Sequence, residues 1–260
     1  MKDKKRGKNM KLKKLIVNAD DFGMTEGNTI ATIMCHETGI LTSTTLMVNM
    51  PFAPLAVNLA KRHQNLGVGI HLVLTVGRPL VEGATSYTDE EGNFRRPSSY
   101  EDGNPHANLD ELYTEWKAQI ERFIELMGKK PTHIDSHHHV HLLPWHFEVT
   151  KRLANEYDLP MRLEEFEDDY AFPHAYLARG FYEDTANTDY FTNETNPFGL
   201  FDHEIAEVMC HPAFIDQRLL DMSSYALPRA KEMMTLRSPL LKEWVQQNDI
   251  ELINFSDLKK

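Results

Sequence analysis

Leu15-Ile16-Val17-Asn18-Ala19-Asp20-Asp21-Phe22-Gly23 starts apolar and empties into two adjacent carboxylates and a glycine. A short run rich in β-branched residues, with no polar alternation, reads as a strand buried on both faces, the kind found in parallel sheets. The next segments repeat the rhythm. Asn28 to His36 has helical spacing through Ile30, Ile33 and Met34, with Gly39 as a stop. Thr44 to Val48 is a strand, Pro51 to Arg62 a helix, and Val68-Gly69-Ile70 a strand leading into His71. Strands alternating with helices predict an α/β fold with a mainly parallel sheet, open or closed into a barrel.

Farther along, Asn108 and Glu111 form a capping-box-like start for a helix over Leu109 to Met127, whose Leu112, Trp116, Ile120 and Phe123 share one face. Trp116 and Met127 belong to its core side, as does Met50 earlier in the chain. Pro144 opens a helix reaching Tyr157, and Met161-Arg162-Leu163 is a weak strand. Val208-Met209-Cys210 is a strand running into His211-Pro212. A helix near Pro239 to Gln247 and a strand over Ile250 to Phe255 complete the pattern. Two stretches break it. Residues 75–107 are rich in Gly, Pro, Ser and acids and read as an insertion over the active face. Glu164 to His203 is polar, with room for two short helices.

The bulk numbers exclude several classes. With 260 residues, 41% hydrophobic and 26% charged, the chain has an ordinary globular composition. A net charge of −11 argues against a nucleic-acid surface, which needs cations for phosphate. Two cysteines offer no disulfide framework and suit a reduced cytoplasm. No run of 18 apolar residues predicts a membrane span. Residues 1–10 are a basic tail expected to be disordered, and residues 11–260 a single catalytic domain. A homodimer is compatible with this chain.

The densest chemistry is His133-Ile134-Asp135-Ser136-His137-His138-His139-Val140-His141, five histidines in nine positions. Imidazole is both the commonest metal ligand and the side chain that titrates near neutral pH. Position joins this cluster to the rest. Asp20 and Asp21, His71, the cluster and His211 each follow a short apolar run, and in parallel α/β folds such strand ends converge where ligands bind. Taken singly, an Asp-Asp pair reads as a turn and a lone His as a satisfied core residue. Four coincidences read as a site. Three protein ligands and an open position describe a catalytic divalent metal. One aspartate of the pair, His71 and one cluster histidine would supply them. The other aspartate is then a base, and His211 is placed to protonate a leaving group. Two imidazoles suit Zn²⁺ or another transition ion. His133, His138 and His146 are assigned to solvent or to supporting positions, and Asp135 to orienting an imidazole.

Asn18-Ala19-Asp20-Asp21-Phe22-Gly23, Thr42-Ser43-Thr44-Thr45, Gly69-Ile70-His71-Leu72, Lys130-Pro131, Thr132 to His141 and Met209-Cys210-His211-Pro212 together resemble the YdjC-like carbohydrate deacetylases, from Leu15 to the C-terminus. The resemblance implies a (β/α) barrel, irregular or incomplete, related to the polysaccharide deacetylases. It implies hydrolysis of the N-acetyl group of short chitin oligosaccharides such as chitobiose, 6-phosphorylated forms included. By motif it makes Asp21, His71 and His137 the ligands of one divalent ion, Mg²⁺ in this family, with Asp20 as base and His211 as acid. His139, His141 and Arg229 are expected to touch the substrate. Competing readings are a phospho-glycoside hydrolase of cellobiose or chitobiose phosphate, a two-metal phosphoesterase, and a sugar-binding protein without chemistry.

Overall fold

Strand β1 (Lys14–Phe22) runs through the middle of a parallel sheet. The computed structural model describes residues 11–100, 107–164 and 171–258. The expected basic tail, and part of the 75–107 insertion, lie outside them. After β1 come α1 (Glu26–Thr38), β2 (Ser43–Leu46), α2 (Ala53–Arg62), β3 (Gly67–Leu72), α3 (Leu109–Met127), β4 (Ile134–Ser136) and α4 (Pro144–Tyr157). Then follow β5 (Tyr176–Leu177), α5 (Asp189–Thr192), β6 (Ile205–Cys210), α6 (Gln217–Met222), α7 (Leu227–Leu236), α8 (Pro239–Gln247) and β7 (Glu251–Leu252). The order is β4-β3-β2-β1-β6-β5, with β7 on the start of β1, and every ladder is parallel. This is an incomplete (β/α) barrel, and no ladder joins its two edges among the described residues. No described helix is long and apolar enough to cross a membrane.

The two faces of the sheet differ in kind. Leu15, Val17 and Ala19 share the main hydrophobic cluster with helix residues such as Ala31, Ile33, Leu241 and Val245. Ile16 points the other way, into a small cluster with Ala175, Ile253 and Phe255 that floors the interior. Above that floor His133 stacks on Phe255 at 3.6 Å between ring centroids. A Cβ on Gly69 would meet the His133 ring at 2.5 Å, so β3 needs a glycine there. Higher still the interior is charged. Arg162 bonds Asp20 on β1, Asp135 on β4 and Glu207 on β6. Three strands separate β4 from β6 in the sheet, so one guanidinium can reach both only because the sheet curls. The central strands are buried on both faces, as expected, but only the outer face is apolar.

Most predicted elements stand within a residue or two of their positions, α3 and α4 at both ends. Met161 to Leu163 shrinks to one bridge, Ile134 with Met161. The last strand is only Glu251–Leu252, because Asn254 accepts from the Ser256 N–H and turns the chain. Helix α7 carries no obvious apolar stripe in sequence and was not expected. Part of the 75–107 stretch is anchored to α3: buried Glu115 accepts the Leu80 and Val81 N–H groups. Gln119 clamps both backbone groups of Val73, and the stretch buries its own Tyr87, Phe94 and Tyr100.

Candidate active site and metal centre

Adjacent strand residues point to opposite faces, yet Asp20 and Asp21 both line one cavity of about 590 Å³. The ladder explains it. From Ala19 to Phe22 is three steps along β1 but only two, Thr44 to Leu46, along β2. The extra residue is a bulge, which re-aims a side chain. Asp21 sits in the left-handed region at φ 66°, a conformation that aspartate tolerates better than most residues.

The histidine cluster uses the same device. Ser136 ends β4, and a tight turn from His137 to Leu142 has left-handed backbone at His138 and His139. Consecutive imidazoles therefore leave in different directions. His137 Nδ1 meets Asp21 Oδ1 at 2.8 Å, and His138 Nδ1 meets Thr75 Oγ1 at 2.9 Å. His139 lines the cavity, its Nδ1 without a hydrogen-bond partner among the described residues. His141 does not, and its expected contact with substrate is withdrawn. It is fully enclosed: its Nε2–H donates to the Arg162 carbonyl, and Nδ1 accepts from Ser136. Burial holds its pKa well below the ordinary value, so it is a neutral strut. His133 and His146 are also buried rather than solvent-facing.

Three ligand atoms converge at the centre. One atom each from Asp21, His71 and His137 lies within 4.8 Å of the other two. His71 Nε2 is 3.3 Å from Asp21 Oδ1, while its Nδ1–H donates to Asp135 at 2.7 Å. A carboxylate behind an imidazole orients it and raises its basicity, as behind metal-bound histidines generally. Burial opposes charge on His71, but Asp135 and Asp21 overcome it and push its pKa up to about 10. Arg229 Nη1 holds Asp21 Oδ2 at 2.8 Å, leaving Oδ1 to face the two imidazoles. The donor set fits a divalent ion, one carboxylate and two imidazoles beside an open cavity. A second trio, Asp20, His71 and Asp135, is as close. It fits poorly, because Arg162 occupies both carboxylates at 2.8 and 3.0 Å.

Arg162 also sets the state of Asp20. Burial would raise the Asp20 pKa, but the bidentate guanidinium outweighs it and holds the carboxyl well below the usual range. Asp20 is thus ionised at neutral pH. Across the cavity, His211 has its backbone N–H on the Glu232 carboxylate, and its Nδ1, 3.9 Å from Glu232 Oε1, has no hydrogen-bond partner among the described residues. The Tyr225 hydroxyl donates to the same Glu232.

With this geometry in hand, comparison with known proteins is decisive. The family model for YdjC-like proteins matches residues 14–247. The chain belongs to the YdjC-like family. A carbohydrate deacetylase of Clostridium beijerinckii is 39% identical over 94% of this YdjC-like chain and all of its own length. One from Geobacillus stearothermophilus is 41% identical, covering 94% of this chain and 98% of that one. The crystal structure of an Enterococcus faecalis V583 protein, described as a "putative cellobiose-phosphate cleavage protein", superposes with a TM-score of 0.86. That protein is 35% identical, with 96% of this chain and all of that one covered.

Asp20, Asp21, His71, His137, His139, His211 and Arg229, expected together from sequence, line one cavity in this YdjC-like protein. Arg229, expected on the substrate, is spoken for by Asp21 and by the Tyr225 carbonyl. Sequence reasoning missed Arg162, Glu207 and Glu232. Arg162 carried a signal: a cation between Met161 and Leu163 on an apolar run must be paired once buried.

Proposed function

We propose that this protein is a metal-dependent carbohydrate N-deacetylase acting on short N-acetylated amino-sugar oligosaccharides such as chitobiose, 6-phosphorylated forms included. One observation carries the reading: the Asp21, His71 and His137 trio, Asp20 and His211 face a single cavity large enough for a sugar. The names of the curated relatives support it. A divalent ion held by that trio, Mg²⁺ by family and Zn²⁺ by ligand chemistry, would polarise the acetamide carbonyl and acidify water. Asp20, ionised and held still by Arg162, accepts the proton of the attacking water. Its low basicity limits that transfer, so an acidified water suits it. His211 gives a proton to the amine nitrogen as the C–N bond breaks, releasing acetate and the free amino sugar. Arg229 keeps one Asp21 oxygen occupied, so that the other serves alone. Residues 11–260 then act as one catalytic domain, with Thr75, Val76, Arg96 and Pro97 of the 75–107 insertion in the cavity wall. Free, buried Cys35 and Cys210 suit a reducing cytoplasm.

The description of the Enterococcus faecalis relative favours a second reading, cleavage of a phosphorylated disaccharide. Glycoside hydrolysis needs a protonated carboxyl across from a second carboxylate. Asp20 and Asp21 are both held below the usual carboxylate range, and Glu207 is enclosed away from the cavity. The deacetylase reading fits better. Acetate release from N,N′-diacetylchitobiose and its 6-phosphate, lost on chelation and restored by Mg²⁺ or Zn²⁺, is the expected result. Folded, metal-loaded protein that frees no acetate from either would sink it. Asp20→Asn is expected to lower turnover by about 10²–10⁴-fold with metal still bound.

A further inference from the structure

The aromatic pair beside His211 has no part in the chemistry above. Tyr182 and Tyr225 stack face to face, 3.9 Å between centroids and 9° from parallel. Tyr225 is the fixed member: its hydroxyl donates to Glu232 and accepts from the Glu183 N–H at 3.0 Å. The same Glu232 carboxylate takes the His211 backbone N–H. One carboxylate therefore registers the tyrosine and the histidine to each other. Tyr182 lies on the outer side of the pair and is 42% exposed, though it lines the cavity. Its ring stands edge-on to His211, 6.3 Å between centroids at 81°. The backbone beside it is strained, since Glu183 is left-handed at φ 49° without being glycine. With one face covered by Tyr225, the tyrosine keeps an apolar surface in water at the mouth of a polar site.

We propose that Tyr182 is the platform on which the pyranose ring carrying the reacting acetamide stacks, with Tyr225 and Glu232 holding that platform in register with His211. The C–H face of a pyranose is the apolar side of an otherwise polar molecule, and an exposed ring face complements it. Seated on the outer face of Tyr182, the sugar can direct its 2-amido group toward His211 and the trio. The inference rests on the carbohydrate reading and names the surface that recognises the sugar. Tyr182 itself transfers no proton.

The test separates binding from turnover. Tyr182→Ala is expected to raise KM for N,N′-diacetylchitobiose about tenfold, the size of one aromatic contact. Metal affinity should stay unchanged and kcat should move much less than KM. Tyr182→Phe and Tyr182→Trp keep the ring and should restore wild-type KM, whereas Tyr182→Leu should not. Calorimetric titration of the sugar into metal-loaded protein reads the platform without turnover. Weaker binding in Tyr182→Ala supports it even where no acetate is released, which would count against the deacetylase reading alone. Equal binding by Tyr182→Ala and the wild type overturns the platform, whether or not acetate is released.

Discussion

The outer and inner faces of the sheet are built from the same strands yet stabilised by opposite means. Outward, Leu15, Val17, Ile70 and Val208 are fully buried under helices, and burial of apolar area holds them. Inward, Asp20, Asp135 and Glu207 are as thoroughly buried, but around one guanidinium. Buried charges of this kind are poor stabilisers, because desolvation costs about as much as pairing returns. The difference separates what holds the barrel together from what it holds in place. The outer face supplies stability, and the inner face holds side chains at fixed distances below the cavity.

Four measurements would break or sharpen that contrast. Arg162→Met should have the largest effect, a loss of about 3–5 kcal/mol in urea unfolding, because it leaves buried carboxylates uncompensated. The loss should be smaller at pH 5, where one carboxyl can protonate, than at pH 8. A neutral outcome would mean that the interior charges are not coupled. Ile70→Ala, on the outer face, should cost about 2–5 kcal/mol but leave metal affinity intact; a parallel loss of metal binding would show that the two faces do not divide the work. Asp135→Asn should do the reverse. It should weaken metal binding by about 10–100-fold in calorimetry, since it removes the carboxylate that orients His71, and cost less stability than Arg162→Met, since Asp20 and Glu207 still pair Arg162.

The smallest effect concerns Glu207. Burial, with the Asp20 and Asp135 charges, pushes its pKa up to about 7 in spite of Arg162. Both Arg162 contacts fall on Oε1, so Oε2 can carry the proton. Between the ordinary glutamate value and about 7 the unfolded chain is ionised while the folded one keeps its proton. Stability from this group is therefore full at the acid end and falls as pH rises through that window. Glu207→Gln should flatten the slope, gaining more relative to wild type at pH 8 than at pH 5. An unchanged slope would place the proton elsewhere.

Much of this was legible in advance where a residue's neighbours in sequence decide its fate. Leu15-Ile16-Val17, the Leu109 to Met127 stripe and Pro144 announce their elements because burial and backbone preference act locally. The polar residues closing each apolar run announced the site for the same reason. His133, His138 and His146 were set apart as supporting residues, but nothing in sequence separated enclosed His141 from cavity-lining His139, both expected on the substrate. Left-handed turns at His138 and His139 send His137 toward Asp21, His139 into the cavity and His141 into the interior.

By itself, then, the sequence determined an alternating parallel α/β chain, the strand ends where carboxylates and imidazoles gather, and the kinds of ligand atom available. Tertiary structure decided which atoms meet. The bulge at Asp20 and Asp21 turns both carboxylates to one side, and Arg162, 142 residues from Asp20, takes one of them and leaves the other to His71 and His137. Spacing along the chain cannot encode that choice, because it depends on the curl that brings β1, β4 and β6 around one buried cation.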